Sequence, residues 1–131
     1  MGGQASAQTI VSYQDLRVWQ EAMALAEATY RLVAKLPRIG ANGLTDQMWR
    51  SAISVPANIA EGYGRGSARS YVLFLKIARG SLNELETQIL LAQRICLLDG
   101  SQTGPLISNI ERISKMLNAL IKSLRVRGPT A

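Results

Sequence analysis

Residues 71–96 read YVLFLKIARGSLNELETQILLAQRIC, and the spacing of their apolar side chains decides the fold. Tyr71, Leu75, Ala78, Leu82, Leu85, Ile89, Ala92 and Cys96 recur at intervals of 4, 3, 4, 3, 4, 3 and 4. That rhythm places them on one stripe of an α-helix and fits no strand, whose side chains alternate at period two. Ser67 or Ser70 can open this helix and Asp99-Gly100 can stop it. About 28 residues at a rise of 1.5 Å give a rod of roughly 40 Å. Cys96 falls on the seam, where it reads as a small hydrophobe.

Three further stretches repeat the pattern. From about Tyr13 to Leu36 the seam is Leu16, Trp19, Met23, Ala26, Tyr30 and Val33, with Ser12 and Asp15 suited to a capped start and Pro37 to Gly43 ending it. From about Leu44 to Glu61 it is Leu44, Met48, Ala52, Val55 and Ile59. Pro56 lies inside that helix and predicts a kink, because proline removes a ladder hydrogen bond and disfavours helix at the preceding residue. Gly62, Gly64 and Gly66 are read as its terminators. The last seam is Leu106, Ile110, Ile113, Leu117, Leu120 and Leu124, with Pro105 suited to the first helical turn. Four amphipathic helices with connections at about 37–43, 62–67 and 98–104 predict an all-α fold, an antiparallel up-down-up-down four-helix bundle. Residues 1–12 read as a flexible leader, 13–127 as the bundle and 128–131 as a flexible tail.

Composition agrees with one domain. The chain has 131 residues, 47% of them hydrophobic and 18% charged, enough to bury a core. No apolar run approaches the roughly 20 residues of a membrane-spanning helix. Nothing near Met1 reads as a secretion signal, so a cytoplasmic protein is expected. The absence of histidine removes the commonest acid/base residue and metal ligand, and Cys96 as the lone cysteine excludes an internal disulfide. No cofactor, metal or small-molecule substrate is expected. Val18, Leu25, Ile53, Val72, Phe74, Ile77 and Leu91 fall off the seams, more apolar surface than one bundle core needs, and point to a subunit interface.

Charge divides the chain in two. Of 15 basic and 9 acidic residues, the first 64 positions hold five of each, so the whole net charge of +6 sits in the second half. Arg112, Lys115, Lys122, Arg125 and Arg127 follow one another without an acid. With Arg65 and Arg69, which open the third helix after a glycine-rich turn, they are the candidate contacts to RNA phosphates. Opposed third and fourth helices would gather Arg65, Arg69, Lys122, Arg125 and Arg127 at one end.

Polar residues inside the second and third helices suggest a structural network. Arg50, Ser54, Asn58 and Glu61 share a face of the second helix, with Gln47 beside them, and Glu84 or Glu86 can partner Arg50. A metal-dependent nuclease through Glu61, Glu84 and Glu86 is the catalytic alternative. Neighbouring arginines would hold these carboxylates ionised, which favours structure over catalysis.

These residues also carry a family resemblance. DLRVW at 15–19, GLTDQMWRSAISVPANIAEG at 43–62, Phe74-Leu75 and ARGSLNELETQ at 78–88 resemble the bacterial four-helix-bundle proteins of the 23S rRNA intervening-sequence family. The resemblance covers about residues 12–98, and the block from 43 to 62 is specific. Trp49 stands where the family more often has arginine. The resemblance implies an antiparallel bundle, often assembled as a ring and commonly a pentamer, with no established enzymatic activity. It also implies kinship in fold with the accessory variability protein of diversity-generating retroelements, a basic pentamer that works with a reverse transcriptase and RNA. The expectation is a non-enzymatic homo-oligomer that binds structured RNA or a ribonucleoprotein through its basic half. The alternative is a protein-interaction scaffold whose basic surface meets an acidic partner without touching RNA.

Overall fold

A computed structural model describes residues 9–37 and 43–127 of the chain. It contains four helices: α1 (Arg17–Val33), α2 (Leu44–Tyr63), α3 (Ala68–Arg94) and α4 (Gly100–Arg127). Each packs on its chain neighbours, and α1 closes the square against α4; among the described residues the two diagonal pairs do not approach. Partners across the helix pairs run in opposite numbering. Tyr30 stacks near Trp49, while Met23 shares a groove with Pro56. The Ser54 hydroxyl meets that of Ser81, and Tyr63 meets Tyr71. Gln93 takes the Thr103 hydroxyl, and Arg79 reaches Asn118.

The seams of α2, α3 and α4 fill the centre. Met48, Val55, Ile59, Leu75, Leu82, Leu85, Ile89, Ile113 and Leu117 are fully buried. The stripe of α1 differs from the one expected. Val18, Ala22, Leu25, Ala26 and Thr29 face the core, while Met23 and Tyr30 are about half exposed at 44% and 53%. Two stripes of this sequence satisfy helical spacing. The inner one is built largely of small residues, with Leu16, Trp19 and Val33 packed half-buried against the core beside it and Met23 and Tyr30 left at the groove edge. Ile53, Ile77 and Leu91 stay exposed, whereas Val72 and Phe74 are half-buried.

The helix ends have identifiable causes. Asp15 accepts the Val11 and Ser12 N–H groups, and Ser12 Oγ accepts that of Gln14. This capping box opens a single 3₁₀ turn, Tyr13–Asp15, and α1 begins only after Leu16 becomes extended. The two N–H groups, Val11 first, hold the Asp15 carboxyl below the usual carboxylate range. α2 passes through Pro56 and Gly62 without a break. Gly62 is therefore not a terminator: a Cβ there would lie 2.8 Å from Phe74 Cβ and 3.2 Å from the Tyr71 carbonyl oxygen, so glycine is what lets α3 cross this close. Ser67 caps α3. At its far end α3 stops at Arg94, earlier than expected, and Cys96 takes φ 63. The Leu97 N–H bonds the Ala92 carbonyl and the Cys96 N–H that of Gln93, a Schellman cap with cysteine in the glycine position. Cys96 is exposed, not part of the seam.

α4 starts at Gly100, ahead of the proline expected in its first turn. Asp99 accepts the Ser101 hydroxyl at 2.6 Å and the Gln102 N–H at 3.1 Å, while Gln102 Oε1 takes the Asp99 N–H. The same two donors hold the Asp99 carboxyl below its ordinary value. With this cap in place the helix carries Pro105 as its sixth residue, at the loss of one intrahelical bond.

Candidate nucleic-acid interface

The expected polar network forms only in part. Asn58 Nδ2 donates to the Ser54 carbonyl at 2.8 Å and to Ser54 Oγ at 2.9 Å, and Ser54 Oγ lies 2.7 Å from Ser81 Oγ. This half-buried chain ties α2 to α3. Arg50 and Glu61 are not members. Arg50 is exposed, as is Gln47, and Glu61 pairs with Arg65 one helical turn on, at 2.9 Å. Glu84 is exposed, and Glu86 points into the groove between α3 and α4, away from Arg50. Long charged chains at the edge of a helix pair reach water more cheaply than they desolvate, so the short serines and asparagine take the interface. Glu61, Glu84 and Glu86 do not converge. Among the described residues no three acidic or cysteine side chains form a metal-sized cluster.

Six of the seven candidate phosphate contacts separate into two groups. Arg65 is engaged twice, by Glu61 and by stacking of its guanidinium 4.7 Å from the centre of the Phe74 ring. Arg112 turns toward α1, bonding Asn109 at 2.7 Å and Glu21 at 3.3 Å. Arg69, Lys115, Lys122 and Arg125 are exposed and make no ion pair among the described residues. Arg127 closes α4, but its side chain lies outside the described residues.

Two open depressions that share Asn118 lie along the α3–α4 seam and together make a shallow trench whose charge changes along its length. Glu86, Glu111, Ser114 and Lys115 line one half, of about 420 Å³. Arg79, Lys122 and Arg125 line the other, of about 470 Å³, over Ile121 and Val126. Asn118 stands in both, and its Oδ1 accepts from Arg79 Nη1 at 2.9 Å. Arg79 is not among the seven cations that the charge pattern of the sequence singles out. Its partner lies 39 residues away, so only the pairing of α3 with α4 reveals the group.

On the opposite side, α1 and α2 enclose a groove of about 370 Å³ lined by Met23, Ala26, Tyr30, Trp49, Ile53 and Pro56, with Glu27 as its one charged wall. Trp49 packs against Tyr30 at a ring separation of 5.3 Å. Trp19 packs against Tyr13 at 5.2 Å.

A helical square with a basic trench on one side and an apolar groove on another defines a bundle built for surfaces more than for an enclosed pocket. Residues 14–119 match the family model of the 23S rRNA-intervening sequence protein, and the chain belongs to that family. A crystal structure of a protein of unknown function from the S23 ribosomal protein family of Bacteroides thetaiotaomicron has the same fold, with a TM-score of 0.74 at 24% identity over 80% of this chain and 98% of that one. No curated protein matches the chain. Among the described residues no helix is long and apolar enough to cross a membrane.

Proposed function

We propose that this protein is a non-enzymatic, cytoplasmic homo-oligomer that binds structured RNA, or a ribonucleoprotein, through the basic surface of α3 and α4. The observation that carries this reading is the unneutralised run of cations at one end of those helices. Lys122 and Arg125 are exposed without an ion pair among the described residues, while Arg31 of α1 is matched by Glu27 at 2.7 Å. Phosphate contacts of this kind give affinity that is steep in salt and poor in sequence information. A binding role in preference to a catalytic one is supported by the carboxylates, which stand apart or are paired with arginine. A stem-loop RNA titrated at low salt is expected to bind at micromolar concentration or tighter, with a steep salt slope and little preference among stem sequences. No binding at low salt removes this reading and leaves the scaffold for an acidic partner. That second reading draws on α3, where exposed Leu90 and Leu91 flank Arg94.

The assembly belongs to the same proposal. The α1–α2 groove and the outward stripe of α3, with Leu73, Ile77 and Leu91 between 43% and 56% exposed, are two different apolar surfaces. Two unlike patches join copies head to tail, and such contacts close into rings when the rotation allows. The family resemblance supports a ring of five subunits.

A further inference from the structure

We propose that the cationic half of the α3–α4 trench is the seat of an RNA strand, with Arg79, Lys122 and Arg125 each taking a backbone phosphate and Asn118 positioning Arg79. This rests on the RNA-binding reading above and assigns its site. Arg79 is half-buried and is held by a neutral acceptor, the Asn118 carboxamide oxygen, at 2.9 Å. An amide fixes the guanidinium without cancelling its charge, and one bond leaves most of its five donors available. A carboxylate in that place would make a closed ion pair. The acids of the trench, Glu86 and Glu111, lie in its other half beside Lys115, whereas the Arg79 end holds three cations and no acid, so the field favours an anion there.

The dimensions suit a strand. Asn118 to Arg125 spans seven residues, about 10 Å along the axis. Over that length the backbone of one RNA strand presents a few successive phosphates, which the long side chains of the three cations can reach. Buried Ile121 forms an apolar floor along which the stems of Lys122 and Arg125 can lie with their charged ends raised, while Val126 stands exposed at the rim. The acidic far half of the trench limits the footprint to one end of the bundle.

The test is fluorescence anisotropy with a fluorescein-labelled stem-loop RNA between about 50 and 200 mM salt. Arg79→Gln, Lys122→Gln and Arg125→Gln are each expected to reduce the salt slope by about one, uniformly across stem sequences. The control is Arg31→Gln with Lys35→Gln, two cations removed from the α1 end, and is expected to leave the slope unchanged. Asn118→Ala should reproduce the Arg79→Gln slope and add nothing when combined with it. A purely structural asparagine would lower the melting temperature and leave the slope alone. If Arg79→Gln misfolds by circular dichroism, the two exposed residues carry the test. A parent that binds steeply while all three trench variants bind like it overturns the assignment and leaves the RNA reading standing. A parent that ignores the RNA at low salt, or binds labelled polyglutamate in its place, overturns both.

Discussion

Cys96 occupies the left-handed position that glycine fills in most Schellman caps, with φ 63 and an exposed side chain. A side chain costs about 1–2 kcal/mol in that backbone region, and here it contributes no packing in return. Cys96→Gly is therefore expected to raise the unfolding free energy by about 1 kcal/mol in urea titration, although it deletes a thiol from a helix end. A loss would show that the Cys96 side chain is held by contacts of its own. Tyr71 has the reverse problem. Its ring closes the α2–α3 interface against Tyr63, at a centroid distance of 6.0 Å, while its hydroxyl is buried with no hydrogen-bond partner among the described residues. Burial first, and then the neighbouring Tyr63, push its phenol up to about 12. In the unfolded chain the group titrates near 10. Because the folded value is the higher, this tyrosine's contribution to stability is full below pH 10 and is lost as pH rises from about 10 through about 12. Tyr71→Phe should flatten that alkaline decline. At neutral pH it should also match or exceed the parent by up to about 1 kcal/mol, since it removes an unpaired buried hydroxyl. Thermal melts across the alkaline range check both, and a clear loss at neutral pH would mean that the hydroxyl has a partner.

Two glycines in helices give opposite expectations at the scale of the element. Gly62 lies where α2 and α3 approach, and an added Cβ meets Phe74 Cβ at 2.8 Å. Gly80 is in the middle of α3, exposed, with nothing within 4 Å of an added Cβ. Gly62→Ala should cost about 1–3 kcal/mol through overpacking despite better helix propensity, and Gly80→Ala should gain about 0.5–1 kcal/mol. Denaturant midpoints measure both, and equal shifts would mean that the α2–α3 crossing can relax. Read in isolation, both are glycines in a polar-apolar alternation, and the sequence pattern assigns Gly62 to a helix end. The helices themselves were legible, because seams such as Leu75 to Ala92 repeat for many turns. What periodicity could not supply was rotation and partner. The α1 sequence offers a stripe of Trp19, Met23 and Tyr30 and a stripe of Val18, Ala22 and Leu25. In the folded bundle the second is buried, while Trp19 packs half-buried at its edge and Met23 and Tyr30 face the groove. For the same reason the Ser54–Asn58–Ser81 chain was legible in its α2 members, while Arg50 and Glu61, on the same face, turned out to reach solvent or Arg65. Arg79 and Asn118 share no local signal at all. Their pairing follows from which helices lie side by side.

For the whole molecule, the distribution of apolar and basic surface sets what an assembly would do. The apolar groove of α1 and α2 and the basic trench of α3 and α4 belong to different sides of the square, so copies joined through apolar surfaces would leave the trenches open to solvent. In a closed ring every trench would repeat with its cationic end at the same level, since each subunit is related to the next by rotation alone. Weak phosphate contacts at one trench would then act together on a long RNA, raising avidity well above that of a single subunit. The mass of the assembly is the primary test. Size-exclusion chromatography with light scattering at micromolar concentration should give about 71 kDa for five chains of 14.2 kDa. Met23→Glu with Ile53→Glu places two charges in the α1–α2 groove, both at exposed positions, and should return a folded chain of monomer mass. That variant should keep the low-salt affinity of a lone trench for a short stem-loop and lose the added affinity for a long RNA. A parent that elutes at the mass of one chain ends the ring proposal. A dimer or tetramer that the double variant dissociates keeps the groove as the interface and replaces five by the measured number. An oligomer unmoved by both glutamates places the interface elsewhere on the bundle, with the outward stripe of α3 at Leu73 and Ile77 the next surface to charge.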